Sequence, residues 1–92
     1  MAKAIVTLRI MPESPDIDLF SIEHKIKHEI TNFAGHTETK TEQKPIAFGL
    51  NALEIKFVMD ESKGSTDALE KKISEIAGVN SVEVTDVRRA IG

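Results

Sequence analysis

Pro45-Ile46-Ala47-Phe48-Gly49-Leu50-Asn51-Ala52-Leu53-Glu54-Ile55-Lys56-Phe57-Val58-Met59-Asp60 is the stretch around which the rest of the chain can be assembled. From Leu53 the apolar residues Leu53, Ile55, Phe57 and Met59 alternate, with Glu54 and Lys56 between them. That period of two belongs to a strand with one buried face, so Leu53 to Met59 are expected to face the core. Just before it, Pro45 cannot donate to a ladder and Gly49 tolerates positive φ, which predicts a turn through Ile46, Ala47 and Phe48. A Phe in such a turn either folds back onto the core or is offered to another molecule.

Working outward, Ala4, Val6, Leu8 and Ile10 alternate with Ile5, Thr7 and Arg9, predicting a first strand that stops at Met11-Pro12. Its second face is apolar enough for a central position. After the two prolines Pro12 and Pro15, Asp16 or Asp18 can cap a helix running from about Ile17 to Asn32. Leu19, Ile22, Ile26, Ile30 and Phe33 form its buried stripe and Gly35 closes it. His36 to Lys44 has no aliphatic residue, but Thr37, Thr39 and Thr41 at every second position suit an extended chain. It is assigned as an edge strand, pairing with the core strand from Leu50 in a hairpin. Asp60 to Gly64 is a loop. Ser65 or Thr66 then caps a second helix whose buried stripe is Leu69, Ile73, Ile76 and Ala77, ended by Gly78. Val79 to Val87 is a fourth strand, and Arg88-Arg89-Ala90-Ile91-Gly92 a short basic tail.

The order β-α-β-β-α-β predicts an α+β, ferredoxin-like split βαβ sandwich: a four-stranded antiparallel sheet with two helices on one face. Right-handed crossovers give the spatial order 4-1-3-2, with the two most apolar strands central and the polar second strand at an edge. The Met11–Asp16 loop, the Phe48 turn and Gly78-Val79 then share one end of the sheet. The Asp60–Gly64 loop and the basic tail share the other.

Composition narrows the chemistry. Ninety-two residues suit one domain, 1–92, burying about 60 to 65% of its unfolded surface. With no Cys there is no disulfide framework and no thiolate nucleophile or ligand. A net charge of −3 disfavours a general nucleic-acid surface. The N-terminal apolar run is too short and too broken for a signal peptide or membrane span, so a cytoplasmic, soluble protein is expected.

Few residues suggest catalysis. His24 and His28 stand four apart on the first helix, a spacing that can hold a metal, but only nearby Glu or the distant His36 could complete the set, and no metal site is assigned. Lys63-Gly64-Ser65-Thr66 at a helix start has the wrong order for a phosphate loop and is followed by Asp67; it is a plain cap. Asp60-Glu61 is a solvated pair. No triad or nucleophile is found. The Phe48 turn and the Thr85-Asp86-Val87-Arg88-Arg89 end remain as candidate binding surfaces.

Three motifs in order, Met11-Pro12-Glu13-Ser14-Pro15-Asp16, Pro45-Ile46-Ala47-Phe48-Gly49-Leu50 and Val84-Thr85-Asp86-Val87-Arg88-Arg89, carry a resemblance over nearly the whole chain. The sequence resembles the archaeal branch of the translation elongation factor 1-beta family, guanine nucleotide exchange factors for the aminoacyl-tRNA carrier elongation factor 1-alpha. The resemblance implies the same ferredoxin-like fold, no covalent chemistry and no cofactor. It implies a GDP/GTP-bound GTPase as partner, without direct contact to nucleic acid or membrane. It also implies that the turn of Pro45, Ile46, Ala47, Phe48 and Gly49 touches a β-barrel domain of the carrier. The C-terminal end, with Thr85, Asp86, Arg88 and Arg89, would reach the nucleotide domain near its Mg²⁺ site. Eukaryotic members place a lysine next to the C-terminus at that site; the matching position here is Gly92, which leaves Arg88 and Arg89 as the cations at that end. An RNA-binding or small-molecule-binding regulatory module of the same topology is the alternative.

Overall fold

Alternating burial along two central strands organises the molecule. The computed structural model describes residues 3–35 and 37–90, and of Ala90 only the backbone. The elements are β1 (Lys3–Pro12), α1 (Leu19–Ala34), β2 (Thr39–Pro45), β3 (Asn51–Asp60), α2 (Asp67–Ser74) and β4 (Val79–Ala90), with single 3₁₀ turns at Ala47–Gly49 and Glu61–Lys63. All four strands form one antiparallel sheet in the order β2-β3-β1-β4, the predicted order seen from the other edge. The two helices cover one face.

On that face Val6, Leu8, Ile10, Leu53, Ile55 and Phe57 lie under Ile26 and Ile30 of α1 and Leu69 and Ile73 of α2, all essentially removed from water. These are the residues the two periodicities select. The register Val6↔Phe57, Leu8↔Ile55 and Ile10↔Leu53 stacks them as cross-strand pairs in the middle of the sheet. The opposite face is uncovered and mixed, carrying Arg9, Glu54 and Lys56 beside Ile5, Thr7 and Val58.

Several boundaries differ from the sequence expectation. Helix α1 starts at Leu19, because Asp18 is the cap: its carboxylate accepts from the Phe20 N–H at 3.0 Å. Ile17 instead remains in the preceding turn, against Gly78, where an added Cβ would lie 3.2 Å from the Ile17 Cγ2 and where φ is +95°. Only glycine meets both conditions. Strand β2 begins at Thr39, so Thr37 and Glu38, expected in the strand, precede the ladder, which starts with Thr39 opposite Phe57; His36 lies outside the described residues, as do Ile91 and Gly92 of the predicted tail. Helix α2 ends at Ser74, since Ile76 N–H bonds the Ile73 carbonyl at 3.0 Å and Val79 N–H the Ile76 carbonyl at 3.1 Å, so the backbone winds into tight turns. Ala77 is consequently exposed and not part of the buried stripe.

The largest departure is at the C-terminal end. Arg88 and Arg89 are not in a tail: β4 continues through Ala90, pairing Arg88 with Ile5, Arg89 with Ala4 and Ala90 with Lys3. The strand reaches that far by way of a bulge. Thr7 opposes Asp86 and Leu8 opposes Val84, so Thr85 is the extra residue. Beyond it the side-chain alternation is inverted, and Val87 and Arg89 take the helix side of the sheet while Asp86 and Arg88 take the open side.

Phe57→Ala should lower stability by about 3 to 5 kcal/mol, read as the shift of a denaturant midpoint. Truncation after Val87 removes three strand pairs and should cost on the order of 1 to 2 kcal/mol in the same measurement.

Candidate functional site at the two ends of the sheet

The β2–β3 hairpin is closed by Pro45 opposite Asn51 and by the Ile46 N–H donating to the Leu50 carbonyl at 2.8 Å. Between them the chain must reverse within Ala47, Phe48 and Gly49. It does so through two consecutive left-handed residues, Phe48 (φ 62°, ψ 29°) and Gly49 (φ 74°). For glycine this is free; for Phe it costs about 1 to 2 kcal/mol. The ring gains nothing in return within the chain, since Phe48 is 92% exposed. Of the two outcomes left open for this side chain, it points away from the core. Pro45, Ala47 and Gly49 are exposed beside it and Ile46 is half-buried.

The Met11–Asp16 loop stands at the same end, as predicted. Its Glu13 N–H donates to the Gly78 carbonyl at 2.9 Å, and the Glu13 carboxylate accepts from the Gly78 N–H at 3.1 Å. Helix α1 begins there too, and its Phe20 is 74% exposed. Sequence reading had not singled out Phe20. Its position off the stripe of Leu19, Ile22 and Ile26 was the available signal.

At the opposite end strand alternation sends the two adjacent cations to opposite faces, and the bulge decides which face each takes. On the open face the Arg88 Nε donates to Asp86, two residues earlier, at 2.9 Å. On the helix side the Arg89 Nε donates to Glu61 Oε1 at 2.9 Å, and its Nη2 to Oε2 at 3.4 Å. Glu61 opens the Glu61–Lys63 turn, which Asp60 caps by accepting from the Ser62 N–H at 2.9 Å. That backbone hydrogen bond, with the Ser62 side chain, holds the Asp60 carboxyl below its usual range. Thr85, at the bulge, donates a long bond of 3.5 Å to the Thr7 carbonyl. Beside Glu61 a shallow groove of about 310 Å³ has an apolar floor of Ala4, Val6, Met59 and the exposed Val87.

His24 and His28 are exposed on the groove between the helices, and among the described residues no three His, Asp or Glu are grouped to hold a metal. No helix among the described residues is long and apolar enough to cross a membrane. One end presents the exposed Phe48 on the hairpin tip, and the other the ion-paired Arg88 and Arg89 beside an apolar groove.

A family model described as the EF-1 guanine nucleotide exchange domain matches residues 5–90. The chain is 43% identical over 89 residues to elongation factor 1-beta of Methanothermobacter thermautotrophicus, covering 97% of this chain and 98% of that one. To elongation factor 1-beta of Hyperthermus butylicus it is 37% identical over 90 residues, covering 97% and 96%. Among solved structures, the designed protein Foldit4 superposes with a TM-score of 0.63 at 16% identity, covering 98% of both chains, a likeness of fold alone.

Because the left-handed cost at Phe48 outweighs the extra unfolded-state entropy of glycine, Phe48→Gly should leave the denaturation midpoint unchanged or raise stability by up to about 1 kcal/mol. The Asp60 cap stabilises the ionised carboxylate, so its contribution is present above the unfolded-state pKa and lost as pH falls through the depressed folded value. Amide exchange at Ser62 should therefore lose protection only in acid.

Proposed function

The chain belongs to the EF-1 guanine nucleotide exchange domain family, and we propose that it promotes replacement of GDP by GTP on the aminoacyl-tRNA carrier elongation factor 1-alpha. The exchange is done by holding that GTPase at two places. Phe48, presented by Pro45, Ile46, Ala47 and Gly49, anchors on the carrier's β-barrel domain. The end of β4, with Thr85, Asp86, Arg88 and Arg89, meets the nucleotide domain near its Mg²⁺. The observation that carries this reading is the exposure of a strained aromatic at one tip. An aromatic held out of the core at a conformational cost serves a contact the free chain does not make.

The molecule is 42 Å in its longest extent, long enough for its two ends to engage two domains of one partner together. No substrate atom is bonded. The factor works by binding the carrier more tightly when nucleotide and Mg²⁺ are loosened, and by linkage nucleotide must weaken the factor's binding by the same ratio. Since Mg²⁺ ties the phosphates to the carrier's switch residues, perturbing it at the β4 end speeds GDP release. GTP then rebinds and displaces the factor.

Release of a fluorescent GDP analogue from the purified carrier tests this directly; acceleration by catalytic amounts of this protein is expected, and none would overturn it. Phe48→Ala should weaken carrier binding by about 2 to 4 kcal/mol, measured by calorimetry. Its own stability should move by no more than roughly 0.5 to 1 kcal/mol, as for a surface substitution. A large fall in melting temperature with a proportional loss of exchange would instead make Phe48 a packing residue.

A further inference from the structure

We infer that Glu61 is a positioning residue for Arg89, and that Arg89 is the cation this protein presents to an anionic oxygen, carboxylate or phosphate, in the GTPase's nucleotide site. The inference rests on the exchange-factor reading above and deepens it. As neighbours in one strand Arg88 and Arg89 face opposite sides of the sheet, and the bulge at Thr85 gives the helix side to Arg89, so the two cannot serve one docking direction equally. Arg88 is tied to its near neighbour Asp86 through Nε, and 78% of its side chain is in water. Arg89 is held from a different element. Glu61, 28 residues away in sequence, takes the edge of the guanidinium formed by Nε and Nη2.

A guanidinium has five N–H donors in a planar fork, and this contact uses one from Nε and one from Nη2. Both Nη1 hydrogens and the second on Nη2 are left on the far edge, the geometry that grips a second carboxylate or phosphate in parallel bonds. The Arg89 side chain is 72% exposed, so that edge is open to a partner, and the groove floored by Val87, Val6 and Met59 beside it offers apolar contact to the same surface. Glu61 is itself set by the turn that Asp60 caps, so the cation is aimed by backbone geometry and is not a loose side chain. Lysine could not be oriented this way, as it has no second edge.

Stopped-flow GDP release at saturating factor is the test. Arg89→Ala should slow the maximal rate on the order of tenfold or more, and Glu61→Gln severalfold. The double variant should be no slower than Arg89→Ala alone, because Glu61 acts through Arg89. Arg89→Lys should stay slow although it keeps the charge, and Glu61→Asp should recover part of the loss. Glu23→Gln breaks a comparable exposed pair with Lys27, away from both ends, and should match wild type. Denaturation midpoints should be unaffected throughout, since exposed ion pairs add little stability. A wild-type rate for Glu61→Gln, or additive losses in the double variant, would overturn the positioning role while leaving the exchange function standing. Failure of the wild-type protein itself to release GDP would overturn both.

Discussion

Pairing of β1 with β3, with Leu8 against Ile55 and Val6 against Phe57, is the contact on which the rest of the structure depends. Because the side-chain period of a strand is two, a slip of one residue would turn Leu53, Ile55, Phe57 and Met59 to the open face and leave Ile26, Ile30, Leu69 and Ile73 without a floor. The helices therefore enforce the register, and the register fixes where each loop falls. Pro12 is placed opposite Val79 and Pro45 opposite Asn51 at one end, and Lys3 opposite both Asp60 and Ala90 at the other.

Local rules are broken at the hairpin tip and midway along β4. Phe48 adopts a backbone conformation that suits glycine, and β4 carries a bulge where plain alternation would have served. In a small chain with a modest core such departures persist only where the surrounding ladder overdetermines them. The hairpin closure at Ile46 and Leu50 does so for Phe48, and the β1 ladder on both sides of Thr85 does so for the bulge. The packed face of the sheet supplies the stability that holds both irregularities in place.

The open face of β2 and β3 carries like charges opposite each other, Lys40 with Lys56 and Glu42 with Glu54, and Glu42 is relieved along its own strand. Lys44, 3.2 Å from Glu42, is the chief reason that carboxyl is depressed. Such exposed contacts keep the uncovered sheet soluble and its edge strand unattractive to other edges, but contribute little to the fold. The Arg89–Glu61 pair differs in joining two elements across the end of the sheet.

Much of this was legible in the residues. The periods in Ala4–Ile10, Leu19–Phe33 and Leu53–Met59 identified the element types, the central strands and the core, because burial of one face leaves its period in the sequence whatever the tertiary details. Pro45 and Gly49 marked the turn, and the order of elements gave the sheet its topology and sorted the loops between its ends. Other features were settled only in three dimensions. Whether Phe48 was core or exposed depended on which way a left-handed turn aims its side chain. That Arg88 and Arg89 extend β4 follows from the length of β1, which offers Ile5, Ala4 and Lys3 as partners that no local signal announces. The bulge has no composition of its own either, and by inverting the alternation after Thr85 it placed Arg89 beside Glu61. Periodicity records what a segment buries; where a strand ends and which face its last residues take are decided by the neighbour it pairs with.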